Sequence, residues 1–313
     1  MKISVCVITY NSSSTVVETL NSIKNQSFDL KNVELVVSDD CSTDKTKEIV
    51  EQWVVENGSL FFNVVINCSK SNQGVSHNCN LAMENSQFDW IKIIAGDDIL
   101  LKSCLEDNAN YVKSNKDAKV VFSKMRYFNS KSTCIQETPL PYQKSFYQKT
   151  AKRQLNSLLL NSFNMAPTAF INKEFIISTF GGFDENYRLI EDLPMWIKVT
   201  ESGCKLSYFD KVTVCYRVGD SITRDSGSLF NIDFFKYMNS LFDKEIYPRL
   251  SFPSRIYLRY DRSVEYIFMV LATKAFNSTS KQAMVYRTSC IFRPRYIING
   301  LLKYLSKVRR GYE

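Results

Sequence analysis

The chain has 313 residues, and its 44% hydrophobic and 23% charged residues are typical of a globular protein with a sizeable core. Its formal net charge of +8 arises after residue 273, where nine basic residues face one acid, so the first 273 residues are neutral. The nine cysteines are scattered without a Cys-x-x-Cys pair, and no run approaches the ~18 apolar residues of a membrane span. We therefore expect reduced thiols in a cytosolic protein that is neither secreted through a cleavable signal nor integral to a membrane.

Strand and helix patterns alternate in the first half of the chain. Short apolar runs predict strands over residues 2–8, 34–38, 61–66, 90–95 and 119–128. One-sided apolar spacing predicts helices between them, after the caps Ser12 to Thr15 and Asp44 and over 75–85 and 101–114. Strands separated by helices of this length form βαβ units. The pattern therefore predicts an α/β fold with a mostly parallel sheet covered by helices on both faces.

The second half of the chain is less regular. Its patterns predict a loop or insertion over 129–150, a helix near 151–162, a short strand over 168–171, a helix beginning near Asp192, and strands over 205–209 and 212–218. Beyond Gly219 the pattern becomes helical and aromatic. We expect one α/β domain over 1–225 and a helical, basic C-terminal extension over 226–313.

Acidic pairs follow two of the predicted strands. Asp39-Asp40 and Asp97-Asp98 come directly after apolar runs, at the sheet edge where open α/β sheets bind ligands. The glycine-rich dinucleotide fingerprint and the P-loop are absent from the sequence, so a nucleotide would be held in another way. Carboxylates gathered at such an edge favour a divalent cation that carries a diphosphate.

Each pair also has a simpler explanation, which is the stronger one when that pair is taken alone. Gly96-Asp97-Asp98 is good turn chemistry, although Gly96 also lets a phosphate or sugar approach the backbone. One carboxylate of Asp97-Asp98 can coordinate Mg²⁺ or Mn²⁺ while the other accepts a ribose hydroxyl. Asp39-Asp40 is either part of a loop that leads to the cap Asp44, or a carboxylate site for the imide N–H of uracil.

A third pair, Glu191-Asp192, precedes a helix with Pro194 in its first turn. The helix dipole favours acids at this position whatever the function. The alternative is a general base that takes the proton of an attacking hydroxyl. For a sugar donor, such a base lies on the face opposite the leaving diphosphate, so the anomeric configuration inverts.

Six segments stand in the order found in family-2 glycosyltransferases: Val7 to Asn11, Ser38 to Asp44, Asn72 to Ser76, Gly96 to Asp98, Gly181 to Glu185, and Glu191-Asp192. The chain resembles this family over roughly residues 1–220. The resemblance implies the GT-A fold, with a nucleotide-binding sheet, and a donor that is a UDP-sugar or another nucleotide-activated sugar. Six ordered motifs are more specific than any one of them.

The resemblance also implies roles for single residues. Backbone groups of Ile8 and Thr9, with Asp40, would hold the uracil. Asp97 would meet the ribose, and Asp98 would hold the Mn²⁺ or Mg²⁺ ion.

On the opposite side of the donor, Asp192 would be the catalytic base, next to Glu191 as a nucleotide-sugar-binding residue. Arg217 resembles the end of the family's core and would contact the diphosphate, or it pairs with an acid as an ordinary strand arginine.

Two departures from the family pattern concern the diphosphate and the metal. Where the family often has Ala-Arg-Asn, this chain has Asn78-Cys79-Asn80, so an expected diphosphate-facing arginine is missing. Where many members have Asp-x-Asp-Asp, this chain has Ala95-Gly96-Asp97-Asp98. Neither change removes the predicted metal site, but both affect which carboxylate would bind the metal and which would meet the ribose.

The basic end of the chain predicts a location. Residues 296–310 have the pattern of a basic amphipathic helix, which can lie on an anionic membrane surface or pack back on the domain. Small bacterial members of the family build surface glycans on undecaprenyl-diphosphate lipids. We therefore expect a cytoplasmic protein, peripheral on the inner face of the bacterial inner membrane. Nucleic acid is not an expected partner, since no nucleic-acid motif accompanies the charge.

These observations predict an inverting, metal-dependent hexosyltransferase. It would pass a hexose, with glucose or galactose favoured, from a UDP-sugar to a hydroxyl of an undecaprenyl-diphosphate-linked glycan in O-antigen or capsule synthesis. One alternative is a non-catalytic membrane-associated protein that binds nucleotide sugars. The other is a sugar nucleotidyltransferase, although the loop 11–14 lacks the glycine and basic residues typical of that class. The single histidine, His77, argues against a His-rich zinc site or a Ser-His-Asp triad.

Overall fold

The computed structural model describes residues 1–129, 134–161, 165–218, 229–276, 278–294, 296–298 and 300. The chain divides into two compact units, one over 1–139, 147–155 and 163–219 and the other over 140–146, 156–162 and 220–313. The domain boundary predicted near residue 225 lies outside the described residues.

The first unit contains a nine-stranded sheet. Its strands are β1 (Ile3–Thr9), β2 (Val33–Asp39), β3 (Asn63–Cys68), β4 (Trp90–Ala95), β5 (Ile99–Leu100), β6 (Val120–Phe128), β7 (Cys134–Thr138), β8 (Phe170–Asn172) and β9 (Leu206–Arg217). They are ordered β3-β2-β1-β4-β8-β6-β9-β5, and β7 also pairs with β6.

The helices of the described chain up to residue 218 are α1 (Val16–Lys24), α2 (Thr46–Asn57), α3 (Val75–Glu84), α4 (Cys104–Ser114), α5 (Pro141–Lys144), α6 (Ala151–Leu160), α7 (Lys173–Phe180) and α8 (Asp192–Glu201). Strands β3, β2, β1 and β4 pair in parallel, as predicted. Every residue of β2 is buried, and in β1 only Ile8 is partly exposed, as expected for parallel strands covered on both faces. The predicted α/β fold is confirmed.

The other half of the sheet is mixed, which the sequence patterns did not predict. Strand β8 runs antiparallel to both β4 and β6, while β6 and β9 are parallel. The loop predicted over 129–150 is wrong in part, because it contains β7 and α5. The two strands predicted over 205–218 are one strand with a shift of register opposite Lys124. Exposed Asp210 and Lys211 interrupt the apolar pattern there without ending the strand.

The order of the parallel strands positions the site. The chain passes from β1 outwards to β2 and β3 and then crosses to β4 on the other side of β1. This reversal is a topological switch point, where the loops that follow adjacent strands diverge and leave a crevice. The loops after β1, β2 and β4 carry Asn11, Asp40 and Asp97-Asp98 to that edge.

The second unit is helical in its described residues after 228. It comprises α9 (Ile232–Leu241), a π-helical turn (Phe242–Ile246), α10 (Tyr247–Arg249), α11 (Phe252–Ala275) and α12 (Thr279–Phe292). Its small core contains Phe230, Met269 and Ala272. None of the helices in the described part of the chain is both long and apolar enough to cross a membrane. Of the amphipathic helix predicted over 296–310, residues 301–310 lie outside the described part.

Candidate functional site

Asp40 links the end of β2 to the turn that precedes α3. Its two carboxylate oxygens accept the backbone N–H groups of Gln73 and Gly74, each at 2.8 Å. Its own N–H donates to the carbonyl of Thr9 at 2.9 Å. Burial raises the pKa of Asp40, while the two backbone hydrogen bonds and the nearby His77 and Arg188 oppose that rise. The carboxylate predicted to bind uracil therefore also holds two loops together.

The turn at Gly74 is closely packed against Arg188. Gly74 has φ of 95°, and a Cβ at this position would lie 2.5 Å from the carbonyl oxygen of Arg188. The Arg188 guanidinium donates to the carbonyls of Gln73 at 2.8 Å and Asn72 at 2.7 Å. Arg188 is not among the predicted site residues, because no feature of the sequence shows which distant turn it reaches.

Asp39 has a different role from its neighbour. Its carboxylate accepts hydrogen bonds from Thr9 Oγ1 at 2.7 Å and from the backbone N–H and Oγ of Ser42 at 2.7 and 2.6 Å. Asn11 adopts the left-handed conformation, with φ of 51°, and its Oδ1 accepts the N–H of Thr43 at 2.8 Å. The loops after β1 and β2 are thus fixed to each other by polar side chains from both motifs.

Asp44, the predicted cap of α2, lies just ahead of that helix. It accepts the N–H groups of Thr46 at 3.0 Å and Ser13 at 3.1 Å. Burial raises its pKa, but the hydrogen bonds from Ser13 and Thr46 outweigh burial and lower the pKa to about 2. Asp44 therefore fastens the loop after β1 to the start of α2.

Ile8, Thr9 and Gly96 form the seam between β1 and β4. The carbonyl of Ile8 accepts the N–H of Gly96 at 2.9 Å. A Cβ on Gly96 would lie 2.8 Å from Thr9 Cγ2 and 3.1 Å from Ser12 Oγ. The structure thus requires glycine at position 96 for packing inside the protein, in addition to any approach of a ligand. The uracil contacts of Ile8 and Thr9 stay predictions.

Asp97 and Asp98 are adjacent carboxylates with few donors around them. Asp98 is buried, and its Oδ1 accepts the backbone N–H of Arg217 at 2.9 Å. Burial, followed by the charge of Asp97, raises the pKa of Asp98 well above its ordinary value. Burial also raises the pKa of Asp97. Two ionised carboxylates in this position are unfavourable until a cation joins them.

Lys92 is a buried cation of the protein close to this pair. It is fully buried in β4, and its Nζ donates to the carbonyls of Pro167 at 2.6 Å and Ala169 at 3.3 Å. Burial lowers its pKa to about 8, while the charge of Asp98 opposes that shift. Because its ammonium is already bound to two carbonyls, Lys92 offsets the charge of Asp98 only in part.

Arg217 braces the same loop. Its Nε donates to the carbonyl of Asp97 at 2.8 Å, its guanidinium forms an ion pair with Glu18, and it stacks on the Phe128 ring at 4.5 Å. These contacts correspond to the alternative considered for Arg217, a strand arginine paired with an acid. Its contact with a diphosphate stays a prediction.

Glu191 and Asp192 stand at the start of α8 and keep partial exposure. Asp192 Oδ1 accepts the N–H of Leu193 at 2.6 Å. Burial raises the pKa of both carboxyl groups, and the charge of Asp192 raises that of Glu191 further. The two groups titrate as a pair that retains a proton at higher pH than free carboxylates do. A carboxylate with a raised pKa is the stronger base.

Tyr216 lies in the electrostatic field of both acidic clusters. Burial raises the pKa of its hydroxyl, and the charges of Asp98, Asp97 and Glu191 raise it further. The pair after β4 and the pair at the start of α8 thus affect the titration of one phenol, although about a hundred residues separate them in the chain. Tyr216 is not among the predicted site residues, since a tyrosine within a strand carries no signal of such neighbours.

Asn80 binds the Gly181 to Glu185 segment through its side-chain amide. Its amide accepts the N–H of Phe183 at 2.8 Å and donates to the carbonyl of Phe183 at 2.9 Å and to Glu185 at 2.8 Å. Gly182 has φ of 101°, and a Cβ there would lie 2.6 Å from Asn80 Oδ1. Cys79, at the position of the family's arginine, is buried. The segment that leads to α8 is thus fixed to α3.

A metal at this edge would need ligands from elsewhere. Within the described ranges, no group of three or more His, Cys, Asp or Glu side chains could hold a metal ion. Asp97 and Asp98 offer two carboxylates, and one oxygen of Asp98 is already bonded to Arg217. Mg²⁺ is commonly bound by one or two carboxylates together with substrate phosphates and water. The residues therefore fit an ion that arrives with a diphosphate, and not one held by the protein alone.

Comparison with known sequences agrees with the order of the motifs. Residues 4–180, more than half of the chain, match the sequence profile described as Glycosyl transferase family 2. The poly(ribitol-phosphate) beta-N-acetylglucosaminyltransferase TarS of Staphylococcus aureus is 27% identical over 210 residues, which are 66% of this chain and 34% of TarS. The chain thus spans about a third of the length of TarS. The UDP-Glc:alpha-D-GlcNAc-diphosphoundecaprenol beta-1,3-glucosyltransferase WfaP of Escherichia coli is 22% identical over 69% of this chain and 77% of WfaP.

Solved structures have the same fold. TarS 1-349 in complex with UDP-GlcNAc gives a TM-score of 0.58 with 18% identity, over 94% of this chain and 93% of that one. Mannosyltransferase PcManGT from Pyrobaculum calidifontis, in complex with GDP-Man and Mn²⁺, gives a TM-score of 0.55 with 15% identity, over 93% and 86%. At these identities the likeness shows the GT-A fold alone.

Proposed function

Because the chain belongs to glycosyl transferase family 2 and has the GT-A fold, we propose that it is a metal-dependent, inverting hexosyltransferase. The donor is a UDP-sugar, with glucose or galactose favoured, and the acceptor is a hydroxyl of an undecaprenyl-diphosphate-linked glycan. The product is a precursor of a bacterial surface polysaccharide such as O-antigen or capsule. The similarity to WfaP, a UDP-Glc:alpha-D-GlcNAc-diphosphoundecaprenol beta-1,3-glucosyltransferase, supports this choice of donor and acceptor.

One observation carries the proposal: the acidic pair Asp97-Asp98, in which Asp98 is buried, follows a parallel strand at the switch point of the sheet. A second acidic pair, Glu191-Asp192, begins a helix and has raised pKa values. A transferase needs both kinds of site, a cation-binding edge for the diphosphate and a base for the acceptor.

On the donor side, Asp40 and the Gly74 turn, held by Arg188, orient the uracil. Asp98 would hold Mn²⁺ or Mg²⁺ together with the diphosphate oxygens, and Asp97 beside it would meet the ribose. When bound, the ion offsets the negative charge that develops on the leaving diphosphate. Arg217 keeps the Asp97-Asp98 loop in place by donating to the carbonyl of Asp97, while Lys92 ties β4, the strand before that loop, to the carbonyls of Pro167 and Ala169.

On the acceptor side, Asp192 takes the proton of the attacking hydroxyl, beside Glu191. The hydroxyl oxygen forms a bond to the anomeric carbon as the bond from that carbon to the diphosphate oxygen breaks. UDP departs from the face opposite the attack, so the anomeric configuration inverts. Holding the two reactants in this geometry supplies a large part of the rate enhancement.

The location follows from the acceptor and the charge. The acceptor is anchored in a membrane, and the chain concentrates its +8 net charge after residue 273. We propose that the enzyme is peripheral on the cytoplasmic face of the inner membrane and that its basic end is drawn to anionic lipids.

The test is a transfer assay with the purified protein, Mn²⁺, a panel of UDP-sugars and a GlcNAc-diphosphate-lipid analogue, with the product detected by mass spectrometry. We expect a disaccharide product that disappears with EDTA and with Asp98→Ala. Asp117→Ala removes an exposed acid elsewhere on the unit and should leave the product unchanged. Absence of both a product and metal-dependent UDP binding would contradict the proposal and favour the non-catalytic alternative.

A further inference from the structure

An apolar stripe runs along the outer face of α11. Six large apolar side chains on this helix are exposed: Phe252 (74%), Ile256 (53%), Tyr260 (51%), Tyr266 (48%), Ile267 (53%) and Leu271 (52%). The five other than Tyr266 are separated by four, four, seven and four residues, which places these five on one side of a helix. A single exposed apolar residue is ordinary in a folded protein, but a continuous row of them marks an interaction surface.

The charges around the stripe have one sign. Between residues 252 and 298 the only acids are Asp261 and Glu265. Asp261 is fully buried and accepts from Arg293 at 3.3 Å, and Glu265 pairs with Arg262 and with Arg293 at 2.9 Å. Both acids are thus paired with arginines within the unit. The exposed charged side chains of α11 and α12 are basic, namely Arg259, Lys274, Lys281 and Arg287.

We propose that this face of α11, which we call the α11 stripe, is the surface through which the protein enters the interface of an anionic lipid bilayer. The five apolar side chains would lie at the level of the headgroups, and the flanking arginines and lysines would meet lipid phosphates. The inference rests on the proposed function, because a lipid-linked acceptor requires an enzyme that works at a membrane.

Charge distinguishes the bilayer from the other two occupants of such a stripe. A second copy of the chain would bring the same exclusively basic flanks, and the two surfaces would repel each other. The chain's own residues 301–313 carry four basic residues and one acid, so they too would add positive charge to a positive surface. An anionic membrane supplies both the apolar environment and the opposite charge.

The test is co-sedimentation of the full chain with vesicles of phosphatidylethanolamine and phosphatidylglycerol, compared with vesicles of phosphatidylcholine alone. We expect binding to the anionic vesicles that weakens as salt is added. The double variant Ile267→Gln/Leu271→Gln should lose about tenfold in affinity for each side chain removed from the interface. Val55→Gln, which changes an 82% exposed residue on α2, is the matched control and should bind like wild type.

Further measurements on the same preparations separate the possible outcomes. Circular dichroism and UDP binding of the double variant should match wild type, so that a loss of vesicle binding reports on the stripe and not on folding or on the transferase site. Equal sedimentation of the double variant and wild type would overturn the proposal. So would light scattering that shows wild type as a dimer and the variant as a monomer, because the stripe would then be an interface between copies.

Discussion

Asp39-Asp40 and Asp97-Asp98 follow buried strands of the same sheet and look alike in sequence, yet their surroundings differ. The first pair accepts hydrogen bonds from Thr9, Ser42, Gln73 and Gly74, so its oxygens are already bonded within the protein. In the second pair, Asp98 accepts the backbone N–H of Arg217, and Asp97 accepts its own backbone N–H. The first pair therefore holds loops together, in addition to the uracil contact proposed for Asp40, whereas the second stays unfavourable until a cation arrives.

The third pair, Glu191-Asp192, resembles the second. Asp192 accepts the backbone N–H of Leu193 and its own backbone N–H, and burial raises the pKa of both groups. The hydrogen-bond donors around an acidic pair, most of which come from distant parts of the chain, therefore decide whether the pair is structural or chemical. Substitutions that remove only the charge of a carboxylate can test whether its pair is structural or chemical.

The largest expected effect is on transfer by Asp192→Asn. Loss of a general base costs about 10²–10⁴ in rate, so we expect a fall of that size in kcat with little change in the affinity for UDP. Steady-state kinetics and calorimetry measure the two quantities. Asp117→Asn is the matched control, since Asp117 is an exposed acid. Turnover of Asp192→Asn at the wild-type rate would show that the base is elsewhere.

The next effect concerns stability without ligand or metal. In Asp40→Asn, at least one of the two N–H groups of Gln73 and Gly74 loses its acceptor, which costs about 1–3 kcal/mol of the free energy of unfolding. Asp98→Asn keeps an oxygen for Arg217 and removes a charge that lies beside Asp97, so its stability should equal or exceed that of wild type. Urea unfolding at neutral pH compares the two variants. Equal losses would mean that the two pairs do not differ as described.

The smallest expected effect is on the pH dependence of activity. Asp192 must be ionised to act as a base, and its pKa is raised, so kcat/KM should fall as the pH drops through a value above the ordinary range of an aspartate. Burial and the charge of Asp192 raise the pKa of Glu191 to about 8, so Glu191 is still protonated and neutral while Asp192 loses its proton. Glu191→Gln should therefore leave this acid limb close to its wild-type position. A profile of kcat/KM against pH for both proteins compares the two limbs. A limb displaced by about one pH unit or more would show that Glu191 is charged while Asp192 titrates.

Sequence patterns predicted the parts of the fold that local physics dictates. The four parallel strands and the helices between them have long apolar runs and clear one-sided spacing, and they were confirmed. Strand β9 was predicted as two strands because the exposed pair Asp210-Lys211 has the polar pattern of a turn. In the structure β9 continues through this pair, and its pairing with β6 shifts in register there. Strand β7 and helix α5 lie in a segment whose prolines indicate a loop.

The candidate site was predictable in its acids but not in their supports. Acidic pairs at strand ends are visible in the sequence, and their order suggested the family. The supporting residues find their partners only in the tertiary structure. Arg188 bonds to Gln73, Asn80 bonds to Phe183, and Tyr216 lies in the field of the two acidic clusters. The sequence around each of these residues does not reveal its partner. A lysine is unexpected in a buried strand, and the sequence does not show that the carbonyls of Pro167 and Ala169 accept hydrogen bonds from the Lys92 ammonium.

The most direct test of the account is calorimetric titration of UDP into the wild-type protein with and without Mn²⁺. If Asp97-Asp98 is completed by an ion that arrives with the diphosphate, Mn²⁺ should tighten UDP binding about tenfold or more, a typical coupling between two ligands. Asp98→Asn should lose that gain and keep the weak metal-free binding. UDP binding that is equally tight with and without Mn²⁺ in wild type would contradict the account.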